Sequence, residues 1–217
     1  FSPSSPRGAT VSPTWRTTPM NEPLIVLAST SASRRKILDA AGVSYRAMRP
    51  EADEDALKRS FLTDGLGAEA LSLALARGKA LSITAPGAFV IGADQIMEMD
   101  GVIFDKPRSM REAADRLEAA AGRAHRLVNA LSVVRDGTPV FDHQSAAVLT
   151  MRAMARAEIE DYLEAAGEGV LASVGAYQVE ALGGRLFDRI EGDFFTVLGL
   201  SLFPLLGFLK GQGLLPW

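Results

Sequence analysis

The chain has 217 residues, 47% of them hydrophobic, and a formal net charge of −3 at pH 7. This length and apolar content suffice for a sizeable core. The slight acidic excess argues against a general nucleic-acid-binding protein, which would usually carry a clear basic excess. The chain has no cysteine and two histidines, which excludes disulfides, thiolate metal sites and a cysteine nucleophile and is compatible with a reducing cytoplasm.

Residues 1–19 are rich in Ser, Pro and Thr and lack apolar periodicity. We interpret them as a disordered leader or a translation-start artefact, with Met20 as a candidate start and no secretory signal. The longest apolar stretch, residues 196–209, is shorter than a membrane span and is interrupted by glycine and proline. It predicts a buried strand end followed by a core helix, and no membrane association.

The first predicted element is an apolar strand over 24–28, which runs into small hydroxyl residues and then into a helix ending at Gly42. Ser29, Ser31 and Ser33 therefore lie at a helix N-terminus, where free N–H groups and the helix dipole favour an anion. Arg34 lies one turn in and can donate forked hydrogen bonds to phosphate oxygens. Taken alone, the same pattern also fits an ordinary helix cap beside a solvated arginine.

A short strand over 45–49 follows, and an acidic segment containing Glu54 leads to a helix over about 68–81. Residues 88–91 form a second buried strand, directly before Asp94. We predict that the Asp94 carboxylate emerges at the end of this strand, where open α/β sheets bind their ligands. The alternative for Asp94 is a turn-forming residue.

Hairpins then alternate with helices. Asp100 and Gly101 predict a tight turn between strands 96–99 and 102–104, and Ser109 with Glu112 predicts a capped helix that closes at Gly122. The later predicted elements are strands 126–134 and 140–151, joined in a second hairpin by a turn at Asp136 and Gly137, then helix 157–166, strands 176–179 and 185–190, and helix 200–210. Because hairpins interrupt the strand–helix alternation, the sequence predicts a mixed α/β sheet, not a doubly wound parallel one.

Two lysines complete the set of candidate charged residues. Lys79 lies in a helix among apolar neighbours, and Lys106 precedes Pro107, which favours an extended backbone. By themselves, these lysines fit solvated side chains, and the acidic segment around Glu54 fits an exposed surface.

A pattern that extends over nearly the whole chain changes this interpretation. Its pieces, in order, are LASTSASRR at 27–35, DE at 53–54, ARGKA at 76–80, GADQ at 92–95, DG at 100–101 with KP at 106–107, Gly122 with His125, GAY at 175–177, EGD at 191–193 and VLGL at 197–200. With these motifs the chain resembles the Maf family of nucleoside triphosphate pyrophosphatases. The resemblance implies a mixed, twisted sheet in two lobes with a deep cleft, similar to inosine triphosphate pyrophosphatases, formed by residues 20–217 as a single domain.

The resemblance also implies a reaction, in which water attacks the α-phosphorus of a nucleoside triphosphate and pyrophosphate leaves. Asp94 would be the proton acceptor, and Arg34, Lys79 and Lys106 would neutralise phosphate oxygens. Glu54 and Asp94 would hold a divalent cation, Mg²⁺ or Mn²⁺, as cofactor. Ser29 and Ser31, with the surrounding amides, would complete the phosphate cradle.

Ser33, Gln95 and Glu180 stand at the positions that bear on base choice. The family branch that acts on 7-methyl-GTP carries Trp, Gln and Glu there, whereas the dTTP and UTP branch carries Arg, Thr and Gln. The chain therefore resembles the 7-methyl-GTP branch more closely, and an ionised Glu180 can accept from both N1–H and the exocyclic amine of guanine. Ser33 matches neither branch, and Ala32 stands where the family usually has Pro.

The family likeness favours hydrolysis of non-standard nucleotides in the cytoplasm by a homodimer. A non-catalytic nucleotide-binding regulator of cell division is the alternative, because the family is also associated with septum inhibition. The charged set favours an enzyme, since a sensor needs no carboxylate to activate water. A P-loop NTPase is excluded because the chain has no Gly-rich loop ending in Lys and Ser or Thr.

Overall fold

The computed structural model describes residues 25–63 and 67–217; the expectation for residues 1–19 lies outside them. In chain order the elements are β1 (Ile25–Ala28), α1 (Ala32–Ala40), β2 (Arg46–Met48), α2 (Glu54–Thr63), α3 (Ala68–Leu81), β3 (Phe89–Met99), β4 (Val102–Phe104), α4 (Met110–Ala120), β5 (Ala124–Arg135), β6 (Thr138–Met151), α5 (Arg156–Ala166), β7 (Phe187–Glu191), α6 (Phe194–Val197) and α7 (Leu202–Gly211). Two short 3₁₀ helices, Glu168–Ala172 and Leu182–Leu186, precede β7. None of the helices in these ranges is long and apolar enough to cross a bilayer.

The strands form one seven-stranded sheet in the order β2-β1-β3-β5-β6-β7, with β4 paired to β3. β1 runs parallel to β2 and β3, and the other pairs are antiparallel. This confirms the predicted mixed α/β sheet. Both predicted hairpin turns form, and they join two of the antiparallel pairs, β3 with β4 and β5 with β6.

Those turns depend on left-handed backbone conformations. Asp100 and Gly101 have φ values of 52° and 77°, and Asp136 and Gly137 have 48° and 77°. Two consecutive residues with positive φ are the signature of the tight turn whose twist matches that of the flanking strands, and Asp-Gly is among its preferred dipeptides. The turn chemistry therefore sets the register of β3 with β4 and of β5 with β6.

The free edge of β3 determines where the cleft opens. On one side, β5 pairs with β3 over residues 89–98. On the other side, β1 pairs only with residues 89–91 and β4 only with 97–99. Between these two neighbours the edge of β3 from Gly92 to Ile96 carries no strand.

This arrangement corrects one prediction. Asp94 does not follow the strand but lies in its middle, because pairing with β5 keeps residues 92–96 extended. Its carboxylate still reaches a ligand-accessible place, since the strand that would cover it, β1, has ended at Ala28.

The core divides along β3 into clusters on both faces of the sheet. α3 covers one face. On the opposite face, α1 and α7 pack around Ile91 and Ala93, whereas α4 and α5 pack around Met97. Gln95 lies between these two clusters, and their separation produces the two predicted lobes.

Three further details differ from the sequence predictions. α2 was not predicted; Asp53 caps it by accepting a hydrogen bond from Ala56 N at 2.9 Å. No strand forms over 176–179, because Ala176 has a φ of 60° and the segment is held by side-chain contacts instead of a neighbouring strand. The predicted strand end at Thr196 is part of α6, which Asp193 caps through Thr196 N at 2.9 Å.

Candidate active site

A cleft of about 690 Å³ opens at the free edge of β3. Successive strand residues point to opposite faces, yet Asp94 and Gln95 both line this cleft because it wraps around the uncovered edge. All of the predicted site residues line it: Ser29, Ser31, Ser33, Arg34, Glu54, Lys79, Asp94, Gln95, Lys106 and Glu180. The fold thus brings together residues from distant parts of the sequence.

Close packing of α3 on β3 places Lys79 beside Asp94. A Cβ at Gly92 would lie 2.1 Å from the carbonyl oxygen of Ala76, so the helix backbone rests directly on the strand. Only glycine permits that approach. Lys79, on the same side of α3, therefore reaches the carboxylate two residues further along β3.

Lys79 joins two of the carboxylates that line the cleft, those of Asp94 and Glu54. Its Nζ lies 2.6 Å from Asp94 Oδ1 and 3.1 Å from Glu54 Oε2. The Lys79 and Asp94 side chains are 9% and 10% exposed, so each compensates a charge that would be costly to bury alone. Asp94 Oδ2 receives no hydrogen bond from the described residues, which leaves it available to a water molecule.

The hydroxyl groups after β1 shape the loop that they line. Ser31 Oγ caps α1 by accepting from Arg34 N at 3.4 Å. Ser29 Oγ accepts from Ser31 N at 3.1 Å and from Arg34 Nη1 at 3.4 Å. Both serines therefore hold the loop at the N-terminus of α1 in a compact turn facing the cleft.

Arg34 connects this loop to the far side of the cleft. Its Nε donates to the Gly199 carbonyl oxygen at 2.8 Å. Burial lowers the pKa of the guanidinium, and the charges of Asp94 and Glu54 oppose that shift. Arg34 thus stands with its charge within range of both carboxylates.

Lys106 lies at the mouth of the cleft and makes no hydrogen bond or ion pair with another described residue. Desolvation lowers its pKa, as do the charges of Arg34 and Lys79, while Glu54 and Asp94 act in the opposite direction. A cation surrounded by other cations in a partly dry cleft favours an anionic ligand, because the ligand relieves their repulsion.

Gln95 and Glu180 supply hydrogen-bond acceptors. Gln95 Nε2 donates to the carbonyl oxygens of Thr196 and Val197 at 2.8 and 3.1 Å. Carbonyl oxygens only accept, so the amide nitrogen is committed to α6, and the free end of the side chain is its oxygen. Glu180 is exposed on loop 173–181 at the cleft wall.

Several residues that line the cleft were not predicted from the sequence. Lys58, on α2, forms an ion pair with Asp105 at 2.5 Å. Burial lowers the pKa of Lys58, but the hydrogen bond to Asp105 and the charges of Asp105, Asp94 and Glu54 outweigh it and raise the pKa. Recognising Asp53 as a helix cap would have placed Lys58 one turn after Glu54 and on the same helix face.

A buried contact between His125 and Tyr177 holds loop 173–181 against β5. His125 Nε2 lies 2.5 Å from Tyr177 Oη, and burial lowers the pKa of His125 to about 4. Burial also raises the pKa of Tyr177. The Tyr177 ring packs over Gly175, where a Cβ would lie 2.2 Å from the ring. Both groups are therefore neutral near pH 7 and serve the packing of the loop.

The donor set of the cleft suits a hard divalent cation. Glu54 Oε2 and Asp94 Oδ1 lie 3.1 and 2.6 Å from the same ammonium nitrogen, so two carboxylate oxygens already converge on one cation. No cluster of three or more His, Cys, Asp or Glu residues forms a complete metal cage within 25–63 and 67–217. Mg²⁺ characteristically uses one or two carboxylates and completes its shell with water and substrate phosphates, so these two side chains fit it.

The chain is similar in sequence to proteins of known family. A family model described as Maf-like protein matches residues 24–212, a range that includes every residue lining the cleft. The nucleoside triphosphate pyrophosphatase of Nitrobacter hamburgensis is 48% identical over 192 residues, which are 88% of this chain and 95% of that protein. The protein of the same name from Rhodospirillum rubrum is 44% identical over 195 residues, 89% of this chain and 96% of its own length. The 7-methyl-GTP pyrophosphatase of Rhizobium etli is 41% identical over 193 residues, 88% and 97% respectively.

Proposed function

Because this chain belongs to the Maf-like protein family, we propose that it hydrolyses a nucleoside triphosphate to the monophosphate and pyrophosphate. It is then an enzyme, a hydrolase acting on acid anhydrides, as are the relatives that carry the name nucleoside triphosphate pyrophosphatase. A non-catalytic regulator of cell division is not favoured by these relatives. The observation that carries the proposal is the single cleft that combines the Lys79–Asp94 ion pair with Arg34 and Lys106.

We assign the acid–base role to Asp94. Lys79 occupies Oδ1, so Oδ2 is the atom that can accept a proton from the attacking water. The water then attacks the α-phosphorus, the bond to the bridging oxygen breaks, and pyrophosphate leaves with the electron pair of that bond. Because a buried ion pair fixes the Asp94 side chain, this general base is positioned before the substrate enters.

The cationic side chains have the complementary role. A triphosphate carries about four negative charges, and phosphoryl transfer depends mainly on positioning and on stabilising charge at its oxygens. Arg34 and Lys106 line the same cleft without a direct ion pair to another described residue, and Lys79 contacts both Asp94 and Glu54. Ser29, Ser31 and the amides at the start of α1 complete the phosphate cradle.

We propose Mg²⁺ or Mn²⁺ as the cofactor, held by Glu54 and Asp94 together with substrate phosphates. When bound, it supplies additional positive charge to the phosphate oxygens. Lys79 contacts both carboxylates, so its ammonium must share them with the cation. Removal of divalent ions with EDTA should abolish pyrophosphate release, and Glu54→Gln should raise the metal concentration required for half-maximal rate.

For the nucleobase of the substrate, we propose a methylated guanine, as in 7-methyl-GTP. The Gln95 oxygen and the Glu180 carboxylate both accept, and guanine presents N1–H and an exocyclic amine on one edge. Uracil and thymine present one donor between two acceptors. Methylation at N7 adds positive charge to guanine, which a carboxylate attracts. Ser33 supplies neither an aromatic surface nor a guanidinium at the third position.

A panel of canonical and methylated nucleoside triphosphates tests this choice. We expect 7-methyl-GTP to give the highest kcat/KM, and Glu180→Gln to reduce its advantage over UTP. Strong preference of the wild-type protein for UTP or dTTP would overturn the role given to Glu180, while leaving the reaction class intact.

Asp94→Asn tests the reaction itself. We expect kcat to fall by about 10²–10⁴-fold, the usual contribution of a positioned base, with an unchanged circular dichroism spectrum. Asp161→Asn, at an exposed position on α5, is the matched control and should retain full turnover. Undiminished pyrophosphate release by folded Asp94→Asn would refute the assignment.

The remaining expectations concern partners and location: a homodimer in the cytoplasm, with no nucleic-acid partner. The acidic net charge of −3 supports the last of these. Light scattering of the purified protein over a concentration series tests the dimer, and a constant monomer mass would refute it.

A further inference from the structure

We propose that Arg116 is a positioning residue that sets the spacing between two loops that both line the cleft. One is loop 105–109, which carries Lys106, and the other is loop 173–181, which carries Glu180. The inference rests on the proposed function, because the two loops would hold the phosphates and the base of the same nucleotide. Arg116 itself lies on α4, outside the cleft lining.

The guanidinium of Arg116 is buried between these loops. The residue is 8% exposed. Its Nη1 donates to the backbone oxygen of Asp105 and, at 2.5 Å, to the backbone oxygen of Val174. Its Nη2 donates to Glu112 Oε1 at 3.5 Å, and its Cζ lies over the Phe104 ring, 5.3 Å from the ring centroid. One nitrogen therefore bridges two backbone segments that are far apart in sequence.

Each anchored carbonyl is close to a residue that faces the nucleotide site. Asp105 immediately precedes Lys106, so the bond to its carbonyl fixes the backbone from which the Lys106 side chain extends. Val174 lies in the same loop as Tyr177 and Glu180, and all three line the cleft. Arg116 thereby connects the phosphate side of the site to its base side.

Backbone hydrogen bonds within loop 173–181 form local turns, from Ala176 N to the Ser173 oxygen at 3.2 Å and from Ala181 N to the Gln178 oxygen at 3.0 Å. The loop forms no strand, and three side-chain contacts join it to the rest of the fold: Arg116 at Val174, Tyr162 Oη at the Ala176 carbonyl at 3.4 Å, and His125 at Tyr177. Of these three, Arg116 is the one that also binds loop 105–109. Loss of Arg116 should therefore change the separation of the loops and not merely loosen one of them.

The arrangement requires arginine. A guanidinium is planar and directs several N–H groups in fixed directions while stacking on an aromatic face, whereas a lysine ammonium is a compact point charge on a flexible stem. Lysine at this position would keep the charge near Glu112 but would lose the fixed geometry by which one nitrogen bonds both carbonyl oxygens.

The test compares Arg116→Met and Arg116→Lys with the wild-type protein, using 7-methyl-GTP, GTP and UTP as substrates. A displacement of about 1 Å in a positioned group can cost about 10²-fold in rate, so we expect kcat/KM to fall by about that factor in Arg116→Met. Arg116→Lys should show a smaller loss. In both variants the ratio of kcat/KM between the purine and pyrimidine substrates should shift toward one, with a rise in KM, because the base and phosphate contacts no longer match.

Arg123→Met is the matched control. Arg123 follows α4, donates to the Ala119 carbonyl oxygen at 3.2 Å and forms an ion pair with Asp100, but it does not line the cleft. Its kinetics should equal those of the wild-type protein. All rates are measured well below the melting temperature of each variant, with the folded fraction determined by circular dichroism.

The outcomes separate this inference from the proposed function. If the wild-type protein releases no pyrophosphate from any substrate, the proposed function fails. If it is active and folded Arg116→Met has wild-type kinetics, or loses the same factor on every substrate at unchanged KM, the positioning role is refuted. Should Arg116→Met not fold, Arg116→Lys decides: an altered substrate ratio supports the inference, and an unaltered one overturns it.

Discussion

At the scale of single residues, the site is organised by how each buried charge is compensated. Lys79 contacts both Asp94 and Glu54, so the acids are held close together without a ligand. Arg34 instead donates to the backbone carbonyl of Gly199. Because that partner carries no net charge, the positive charge of Arg34 remains available to an anion in the cleft. Groups that are already oriented need little rearrangement when charge develops on a substrate, which is the main source of electrostatic catalysis.

His125 shows the opposite solution, a titratable group buried in its neutral form. It is 2% exposed, its Nδ1 has no hydrogen-bond partner, and its pKa is lowered from 6.5 to about 4. Since the unfolded chain binds the proton more tightly, the stabilising contribution of His125 is complete above pH 6.5 and is lost as the pH falls toward 4. Protonation of His125 in acid therefore acts against the buried packing in which it contacts Tyr177.

We expect the free energy of unfolding to fall by about 2 kcal/mol between pH 7 and pH 5 through His125 alone. Urea unfolding at the two pH values measures this difference. His125→Gln should flatten the dependence in this range, whereas His143→Gln, which removes the other histidine, should leave it in place. An equally steep dependence in His125→Gln would contradict this account.

At the scale of elements, the site depends on how closely α3 approaches β3. Gly92 has backbone atoms of Ala76 and Ala80 where a Cβ would lie, the nearest at 2.1 Å. The approach brings Lys79 onto Asp94 and packs Leu75 with Ile96 in one cluster. A single missing side chain therefore couples the packing of the helix to the assembly of the ion pair.

Gly92→Ala should destabilise the protein by about 3 kcal/mol or more, because the obstructing atoms belong to a backbone that cannot rotate away. Gly207→Ala is the matched control: Gly207 lies in α7, and a Cβ there meets no atom within 4 Å. It should gain about 0.5–1 kcal/mol from helix propensity. Chemical denaturation measures both, and equal stabilities of the two variants would disprove the close-packing argument.

At the scale of the whole molecule, the cleft joins two lobes whose apolar clusters are separate. Arg34 lies in the first turn of α1, and Lys106 lies in the loop after β4. A nucleotide that contacts both therefore links the lobes. Ligands that bind only the folded state stabilise it by mass action.

An α,β-methylene triphosphate, which cannot release pyrophosphate, should stabilise the protein by about 2.7 kcal/mol at about 100 times its dissociation constant. Hydrogen exchange should slow in loop 29–31 and in loop 173–181 together. Arg34→Met should weaken both effects, because a guanidinium contact to phosphate is lost. Protection confined to one lobe would contradict a ligand that spans the cleft.

The sequence by itself determined the features that depend on neighbours within a few residues. The two Asp-Gly turns require positive φ and have it, Ser109 accepts from Glu112 N at 3.2 Å as a cap, and α3 has the predicted bounds. The family pattern then gathered the candidate residues, all of which line one cleft.

Tertiary structure alone decided the features that depend on distant partners. β3 continues through Asp94 because β5 pairs along its other edge, and the cleft exists because β1 and β4 leave part of that strand uncovered. The amide of Gln95 is committed to α6, and loop 173–181 is held by Arg116 and His125 in place of a neighbouring strand. Turns and caps are formed by contacts a few residues apart, whereas edge pairing and buried polar contacts join residues that only the folded chain brings together.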